Sequence, residues 1–452
     1  MVVAGSLAGV MLMSVAEPAA ALVGTQGSAG GRSWIVAYEN AAQASGTPLS
    51  TANALAASSQ LVRPRNGWFR LVGRGWGHGR GMSQWGAYRA AQLGRSHREI
   101  LRFYYPGTRL ARNPDTTIRV RLTHEDWPAR VLPESGLTLY WTGNDRRVRR
   151  TRLPASLGGC RVLAWRVRAV GGGDMTVQAQ TCRSWRTFVS SSQIRAGGRV
   201  SFVDPDDTVR FVRRVGGGTP VRRTYRGYLR VVYRDGQLRL VNVVPYEQYL
   251  RSVVPAESPA SWPLAALRAQ AIAARSYAVR SASGRRDAYF DVYDTTASQV
   301  YNGLTGHDKD WDVAVRFEHP RTDTAVRSTR RQILRYQRWT VYAEFGSSNG
   351  GWTADGGRPY LRAKYDAWDW GARANPYRTW TDSVSVQRLR AWYPSLGTIR
   401  GIQVTKRSGG GRWGGRISEF VIVGSNGRRV IRGDSNVRAV LGVRSSYCAF
   451  QR

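Results

Sequence analysis

The sequence predicts an α+β protein with a mixed, β-rich main domain, few helices and an inserted antiparallel β-rich segment. Three observations support this class. Short alternating apolar and polar runs follow residue 116, one long helical pattern follows Pro263, and further hairpin-like runs lie on both sides of that helix. A length of 452 residues suits two or three domains with well-buried cores.

The chain is strongly basic, with 68 Lys and Arg against 30 Asp and Glu and a net charge of +38. A hydrophobic content of 42%, with 17 Trp and 21 Tyr, excludes a disordered basic tail. Such a surplus of charge implies an anionic partner. Composition alone leaves nucleic acid, an acidic polymer, and an anionic membrane or cell wall open.

The N-terminus resembles a secretory signal. Residues 4–16 are apolar and small, and the alanines at 19–21 suit cleavage near Ala21, although no basic residue precedes the apolar stretch. We expect a signal peptide over 1–21, with a buried or disordered N-terminus as the alternative, and a flexible Ala-, Ser-, Gly- and Thr-rich linker over 22–66. No later stretch is apolar enough to span a membrane, so we expect an exported protein.

The segment 116–218 carries the antiparallel pattern, with predicted strands at 118–122 and 137–141. Its Arg-rich run at 146–152 is either a solvated strand face or a groove for anions. Glycines 216–218 indicate a hinge. Cys160 and Cys182 flank part of this segment and are predicted to form a disulfide, since no cysteine has metal-ligand spacing to a histidine. Cys448 is expected to be a buried, small side chain.

Beyond residue 219 the elements alternate in type. Strands at 228–233 and 238–244 are joined by Asp235-Gly236, which favours a tight hairpin turn. A short helix is predicted at 245–251. A long helix starts at Pro263, with Ser261 as a possible cap. Its predicted apolar face consists of Leu264, Leu267, Ala271, Ala274 and Ala278. C-terminal hairpins are predicted at 402–405, 417–423 and 428–431.

Glu257 is a single carboxylate in apolar sequence surroundings. The residues around it are Val253, Val254, Pro255, Ala256, Pro259 and Trp262. Two prolines predict a stiff loop, and apolar surroundings raise the pKa of a carboxyl so that it can donate a proton near neutrality. The alternative, that Glu257 caps the following helix or pairs with an arginine, stays open on the residues alone.

Two glycine-rich segments combine small, polar and aromatic residues: 73–87 (GRGWGHGRGMSQWGA) and 345–353 (FGSSNGGWT). Neither has the spacing of a nucleotide-binding loop. Alternating glycines let a ligand approach the backbone closely, and Trp faces beside amides and hydroxyls suit sugar rings. Tight loops packed on a core Trp are the alternative.

Together these segments resemble the SpoIID/LytB domain family, the stage II sporulation protein D-like lytic transglycosylases of peptidoglycan. The most specific motif is 249–277 (YLRSVVPAESPASWPLAALRAQAIAARSY). The resemblance covers about 223–452, including 291–303, 348–353, 359–361, 375–377 and 438–445, and adds the GWGHG motif and residues 93–107. It implies three segments. These are a Gly-His-Gly segment at 67–115 packed on the catalytic core, an inserted β-rich domain at 116–218, and a SpoIID-like catalytic domain at 219–452.

Two departures from the family pattern matter. In many members the Gly-His-Gly motif closes the domain, whereas here it precedes the β-rich segment, so we expect the N-terminal piece to fold back onto the core. Some members bind zinc through Cys and His in the stretch that matches 291–299. This chain has Tyr293, Ala297 and Ser298 there, so we expect no metal and no cofactor.

The resemblance assigns Glu257 as general acid/base in cleavage of the bond between N-acetylmuramic acid and N-acetylglucosamine. It implies attack by the muramyl 6-hydroxyl, which leaves a 1,6-anhydro end, on glycan strands stripped of stem peptides. We expect sugar contacts from Gln299, Ser348, Gly350, Gln84 and His78. Gln270 and Arg275 are interpreted as structural anchors.

The leading hypothesis is therefore an exported cell-wall enzyme whose partners are peptidoglycan strands and anionic envelope polymers. A non-catalytic wall-binding or scaffold protein that uses the Arg-rich β segment is the alternative. Nucleic-acid binding is disfavoured by the export signal and by the lack of a recognised nucleic-acid-binding module. On this interpretation the charge serves adhesion and steering and is separable from catalysis.

Overall fold

The computed structural model describes residues 60–114, 116–123, 130–182, 184–214, 220–284, 288–307 and 314–451. The predicted signal peptide at 1–21 and the glycine hinge at 216–218 lie outside the described residues, as does the predicted linker up to residue 59. The remainder of that linker is not a free connector, because Leu61–Val62 forms a strand paired with residues 402–403.

The helices of the described residues are short except for one. They are α1 (Gln84–Gln92), α2 (His97–Tyr104), α3 (Tyr246–Glu257), α4 (Leu264–Ser283), α5 (Pro320–Ser328), α6 (Ala367–Gly371), α7 (Val386–Trp392) and α8 (Asp434–Leu441). Side-chain caps fix several starts: the Ser83 hydroxyl accepts the Gly86 N–H at α1, and Ser96 and Glu99 form a capping box at α2.

Strands dominate the chain. In the first half they are β1 (Leu61–Val62), β2 (Trp68–Gly73), β3 (Met82–Ser83), β4 (Arg109–Arg112), β5 (Thr117–Arg121), β6 (Arg130–Val131), β7 (Thr138–Thr142), β8 (Val148–Arg152), β9 (Ser156–Leu157), β10 (Cys160–Arg161), β11 (Ala164–Gly171), β12 (Asp174–Gln180), β13 (Trp185–Val189), β14 (Arg199–Val203) and β15 (Thr208–Arg214). In the second half they are β16 (Pro220–Arg226), β17 (Tyr228–Arg234), β18 (Gln237–Pro245), β19 (Val292–Tyr293), β20 (Thr305–His307), β21 (Ala314–Arg316), β22 (Gln332–Tyr336), β23 (Trp339–Thr340), β24 (Phe345–Gly346), β25 (Trp380–Ser385), β26 (Ile399–Arg407), β27 (Ile417–Gly424), β28 (Arg428–Arg432) and β29 (Cys448–Phe450). This content of strands and helices confirms the α+β class.

Two large sheets mix strands from both sides of residue 218. One has the order β19-β5-β18-β17-β14-β7-β8, and the other has the order β13-β12-β11-β6-β15-β16-β20-β21. Side chains from both sheets form one apolar core with α3. The boundary placed at 218–219 from sequence thus divides hydrogen-bonded neighbours: β15 pairs with β16, and β14 with β17. Residues 116–218 and 219–452 share these sheets rather than forming separate ones.

Local features of this β structure match the sequence predictions. Asp235 and Gly236 both have positive φ, 53° and 76°, which is the geometry of the predicted tight hairpin between β17 and β18. The Arg-rich strand β8 is mostly exposed, as expected for a solvated face. Cys160 and Cys182 are disulfide-bonded with Cα atoms 5.9 Å apart, and Cys448 is buried and free.

The segment 67–115 is held between elements from the far end of the chain. Strand β2 pairs with β25 on one side and with β29 on the other. Strand β3 pairs with β24, and β4 with β22. Helices α1 and α2 pack on α4 through an apolar cluster separate from the main core. The Gly-His-Gly segment therefore folds back onto the core.

Helix α4 is central and buried on nearly all sides. The predicted face is buried at Leu267, Ala271, Ala274 and Ala278, but Ala269, Ile272 and Ala273 on other faces are buried as well. Small alanine side chains allow α1, α2, α3 and α5 to approach it closely. Its N-cap is Pro263 rather than Ser261, and no side chain caps it.

Helix α3 is longer than predicted. The sequence places a helix over 245–251 and a stiff loop around Glu257, but the helix continues through Pro255 and ends at Glu257. Proline removes one backbone hydrogen bond near the end of a helix. Burial of Val253 and Val254 in the main core holds this last turn in place. Glu257 thus lies at a helix C-terminus.

Candidate active site

The Glu257 carboxyl accepts hydrogen bonds from two distant parts of the chain. The backbone N–H of Val300 donates to Oε1 at 3.1 Å, and the Gln84 side-chain Nε2 donates to Oε2 at 3.2 Å. Helix α3 presents the carboxyl, α1 supplies Gln84, and the segment after β19 supplies Val300. Three elements that are remote in sequence therefore meet at one acid.

The environment of this carboxyl favours its protonated form. Desolvation raises the pKa of Glu257, and the bonds from Val300 and Gln84 offset that rise only in part. No other carboxylate contributes to the shift among the described residues. The side chain nonetheless keeps partial exposure to solvent. It can therefore exchange a proton with a bound molecule.

Gln299 has a different role from the one expected. It is fully buried, its Oε1 accepts from the Tyr249 hydroxyl at 3.0 Å, and its Nε2 donates to the Ala274 carbonyl at 3.3 Å. Its amide is thus engaged by protein, which corrects the expectation that it contacts sugar. By anchoring its own backbone to α3 and α4, Gln299 positions the neighbouring Val300 N–H against Glu257.

Gln84 reaches Glu257 because α1 starts at a fixed point. Its predecessor Ser83 is the N-cap of α1, and the Ser83 hydroxyl donates to Asp369 Oδ1 at 2.6 Å. The next residue, Trp85, bonds through its backbone N–H to the Ser347 carbonyl at 3.1 Å. The sequence prediction for Gln84 is therefore consistent with a place beside the acid.

Ser348 and Gly350 lie in a buried polar network rather than on a free surface. The Ser348 hydroxyl donates to Asp369 at 3.0 Å and accepts from Asn375 at 2.9 Å. Gly350 is buried with φ of 73°. A Cβ there would lie 2.7 Å from the Arg74 Cβ, so the position requires glycine. Both residues are buried, and the expectation that they contact sugar directly stays a prediction.

The network centres on two aspartates that sequence reasoning missed. Asp366 accepts from Tyr104 and Asn349, each at 2.7 Å. Asp369 accepts from Ser83, Ser348 and the Gly351 N–H. Burial, reinforced by the neighbouring Asp366, raises the pKa of Asp369 to about 7. A signal existed in the sequence: Asp366 caps α6, and an Asp before a short helical run is a typical N-cap.

His78 is tied to its own loop. Its Nδ1 accepts the Arg80 N–H at 3.0 Å, and the Arg80 guanidinium pairs with Glu344. Desolvation lowers the pKa of His78 to about 3, so the imidazole is neutral at physiological pH. No hydrogen bond joins His78 to Glu257 in the described residues.

Three aromatic rings lie close in sequence to Glu257 and to its donor Gln84. The rings of Trp85 and Tyr88 on α1 lie 5.0 Å from the ring of Trp262, which precedes α4. Trp262 is buried, whereas Trp85 and Tyr88 keep partial exposure. These rings lock α1, and with it Gln84, onto the segment that follows Glu257.

The two expected anchors behave differently. Arg275 is fully buried and binds Glu247 through two hydrogen bonds of 2.9 and 2.8 Å, which makes it a structural anchor as predicted. Gln270 is equally buried, but neither of its amide atoms has a hydrogen-bond partner among the described residues. Across the same residues, no three His, Cys, Asp or Glu side chains are arranged as a metal site.

Sequence comparisons match the part of the chain that carries Glu257. The sequence model of the SpoIID family (stage II sporulation protein) matches residues 234–336. The stage II sporulation protein D of Bacillus amyloliquefaciens is 30% identical over 236 residues, 49% of this chain and 64% of that protein. Its Bacillus subtilis (strain 168) counterpart is 31% identical over 150 residues, 30% of this chain and 43% of that protein.

A third relative carries a different name. The amidase enhancer of Bacillus subtilis (strain 168) is 37% identical over 146 residues, 31% of this chain and 17% of that protein. The chain thus spans less than two thirds of each of these relatives. Within the described residues, no helix has both the length and the apolar character needed to cross a bilayer. The matches show that residues 234–336, which include Glu257, form a SpoIID-family domain.

Proposed function

We propose that this protein is an exported cell-wall enzyme that cleaves the N-acetylmuramic acid–N-acetylglucosamine bond of peptide-stripped glycan strands by lytic transglycosylation. Membership of the SpoIID family and the names of the relatives support a role in sporulation or in the cell wall. The observation that carries the finer proposal is Glu257, a partly exposed carboxyl whose pKa burial raises and which two donors hold in place.

In the proposed reaction, Glu257 first protonates the glycosidic oxygen as the bond to the leaving sugar breaks. The resulting carboxylate then removes the proton of the muramyl 6-hydroxyl, which attacks the anomeric carbon and closes the 1,6-anhydro ring. One carboxyl serves both steps, since no water has to be activated. Hydrolases instead place two carboxyls about 5–9.5 Å apart across the bond. Among the described residues, no other carboxylate shifts the pKa of Glu257, which supports the single-acid route.

Val300 and Gln84 fit the second half of this cycle. Both donate to the carboxyl oxygens, and such bonds favour the ionised form that must act as base. Burial and these donors therefore oppose each other, which keeps the pKa in a range where one group can both give and take a proton.

The chemical structure of the cleavage products tests this proposal. The parent protein and Glu257→Gln are incubated with peptide-stripped glycan strands, and the fragments are identified by mass spectrometry. We expect 1,6-anhydro ends from the parent alone. Reducing ends would indicate hydrolysis, and cleavage by both proteins would exclude Glu257 as the acid.

The alternative of a wall-binding or scaffold protein is favoured by one observation. The edge strand β8 exposes Arg149, Arg150 and Arg152, and a shallow groove is lined by Thr138, Tyr140, Arg150, Thr151 and Arg152. In the described residues Arg150 and Arg152 form no ion pair, so they are available to anionic polymers. Absence of cleavage by the parent, with retained binding to walls, would select this alternative.

A further inference from the structure

Three arginines and two tryptophans converge beside the buried aspartate network. We call Arg74, Arg378, Arg412, Trp370 and Trp413 the Arg–Trp cluster. The guanidinium carbons of Arg74 and Arg378 lie 3.9 and 4.1 Å from the Trp370 ring centroid. Arg74 and Arg412 lie 5.8 and 5.3 Å from the Trp413 ring. Three loops and α6 thus bring three cations to two indole faces.

These cations have no counter-charge among the residues that the structure describes. In the described part of the chain, none of the three arginines forms an ion pair, and none of their side chains donates a hydrogen bond. The Nε of Arg378 is buried without a partner there. Burial and the charges of Arg412 and Arg378 lower the pKa of Arg74 to about 10. Some other part-buried arginines are paired with an acid, as Arg119 is with Asp291.

Unpaired, mutually repelling arginines at partly covered positions leave donors that an anion can satisfy. A guanidinium fork matches a carboxylate in a bidentate manner, and an indole face suits a sugar ring. Trp370, Trp413, Arg74 and Arg378 are partly exposed and Arg412 is exposed, so a ligand can reach them.

The cluster belongs to the same rigid unit as the acid. Trp370 follows Asp369, whose partner Ser83 precedes Gln84. The Arg74 backbone packs against Gly350, where no side chain fits, and the Gly75 N–H donates to the Tyr377 carbonyl at 2.7 Å. A ligand held at the cluster is therefore fixed relative to Glu257 through a short chain of buried hydrogen bonds.

We infer that the Arg–Trp cluster binds the free lactyl carboxylate of a muramic acid residue in the glycan, an inference that rests on the proposed function. In an intact strand this carboxylate is an amide bonded to the stem peptide and carries no charge. Hydrolysis of that amide creates the anion. The cluster would then select strands already processed by an amide-cleaving reaction, because only these carry a negative charge at the lactyl position itself.

The experiment uses Glu257→Gln protein, which binds without turnover, and three probes of equal length. The probes are peptide-stripped glycan, the same glycan with its carboxylates converted to primary amides, and a wall teichoic acid. We expect about tenfold tighter binding of the free-acid glycan than of the amidated glycan. Adding Arg378→Gln or Arg412→Gln should abolish this difference. The matched control is Arg400→Gln, an exposed arginine on β26 with the same change in charge.

Three results would overturn the inference. They are equal binding of both glycans, an equal loss of glycan binding with Arg400→Gln, and stronger binding of teichoic acid through these arginines. Cleavage assays with the parent protein separate it from the proposed function. Cleavage of both glycans with equal kcat/KM would leave the enzyme assignment intact and remove the carboxylate site. Absence of cleavage, with carboxylate-selective binding that depends on Arg412, would support the site and remove the enzyme assignment.

Discussion

Two acidic centres lie on either side of Ser83 and Gln84, and burial raises the pKa of both. Glu257 keeps partial exposure and accepts two hydrogen bonds from protein. Asp366 and Asp369 are fully buried and accept bonds from hydroxyls, an amide and several backbone N–H groups. Burial thus raises the pKa in both centres. Glu257 has oxygen lone pairs that accept no hydrogen bond from any described residue, whereas the lone pairs of Asp366 and Asp369 are occupied.

Under the proposed function, this difference separates a reactive acid from a structural one. A carboxyl whose oxygens are saturated by fixed donors gains rigidity and has no means of reaching a ligand. A carboxyl with spare capacity and solvent access can transfer a proton. Sequence separation does not distinguish them, because both centres join residues more than 170 positions apart.

The largest effect is expected at Glu257. Glu257→Gln should lower the rate of glycan cleavage by about 10³-fold, since the amide cannot transfer the proton. The folded pKa is raised, so ionisation of Glu257 disfavours folding at high pH. The variant should therefore unfold at an equal or higher denaturant concentration at pH 8. Glu99→Gln, an exposed position on α2, should leave the rate unchanged, and a clear loss of stability in Glu257→Gln would contradict the comparison.

The second effect concerns stability. Asp366→Ala leaves the Tyr104 hydroxyl, the Asn349 amide and the Trp368 N–H without an acceptor, which should lower the free energy of unfolding by about 3 kcal/mol. Urea unfolding measures the loss. Asp355→Ala, at an exposed turn, should cost less than about 1 kcal/mol. Equal costs would show that the network is not structural.

The third effect depends on pH. A folded pKa of about 7 for Asp369, against 3.8 as its ordinary value, means that the folded state holds the proton more tightly. This contribution to stability is present below about pH 4 and is lost as the pH rises towards 7. The deficit of Asp369→Asn relative to the parent should therefore shrink by on the order of 2 kcal/mol between pH 4 and pH 8. A constant or growing deficit would show that Asp369 is ionised throughout.

The smallest effect should come from Gln84→Ala. Loss of this donor raises the pKa of Glu257 further, because the bond favours the ionised form. The descending limb of the pH profile of kcat/KM should move to higher pH. Because the carboxyl also loses a donor that positions it, the plateau value of kcat/KM should fall by about tenfold. Gln387→Ala, exposed on α7, should change neither quantity. A loss of rate without a shifted limb would show that Gln84 does not act through the acid.

The sequence supports much of the architecture. Alternating runs predict β5, β7, β17 and β18, the Asp235-Gly236 pair predicts its turn, and the cysteine spacing predicts the disulfide. These features depend on local periodicity or turn chemistry. Strand partners depend on non-local pairing, which is why β5 could be predicted as a strand but not as the neighbour of both β18 and β19.

The site was predicted in part for a similar reason. Residue type and apolar neighbours identify Glu257, whereas the Val300 donor is a backbone group and leaves no mark in the sequence. Gln299 and Ser348 have the chemistry of sugar ligands, but their burial is decided by α4 and by Asp369. The continuation of α3 through Pro255 also required tertiary packing that local propensity does not contain.

The pairing of β2 between β25 and β29 affects the order in which the parts of the candidate site come together during folding. Glu257 sits on a helix with local contacts, whereas its donor Gln84 follows β2 in the chain, and β2 pairs with residues 380–385 and 448–450. Closing so long a loop is entropically late in folding. A nascent or proteolytically shortened chain without β29 would hold the acid yet lack its completed surroundings. Under the proposed function, cleavage would therefore depend on the docking of β2 between β25 and β29.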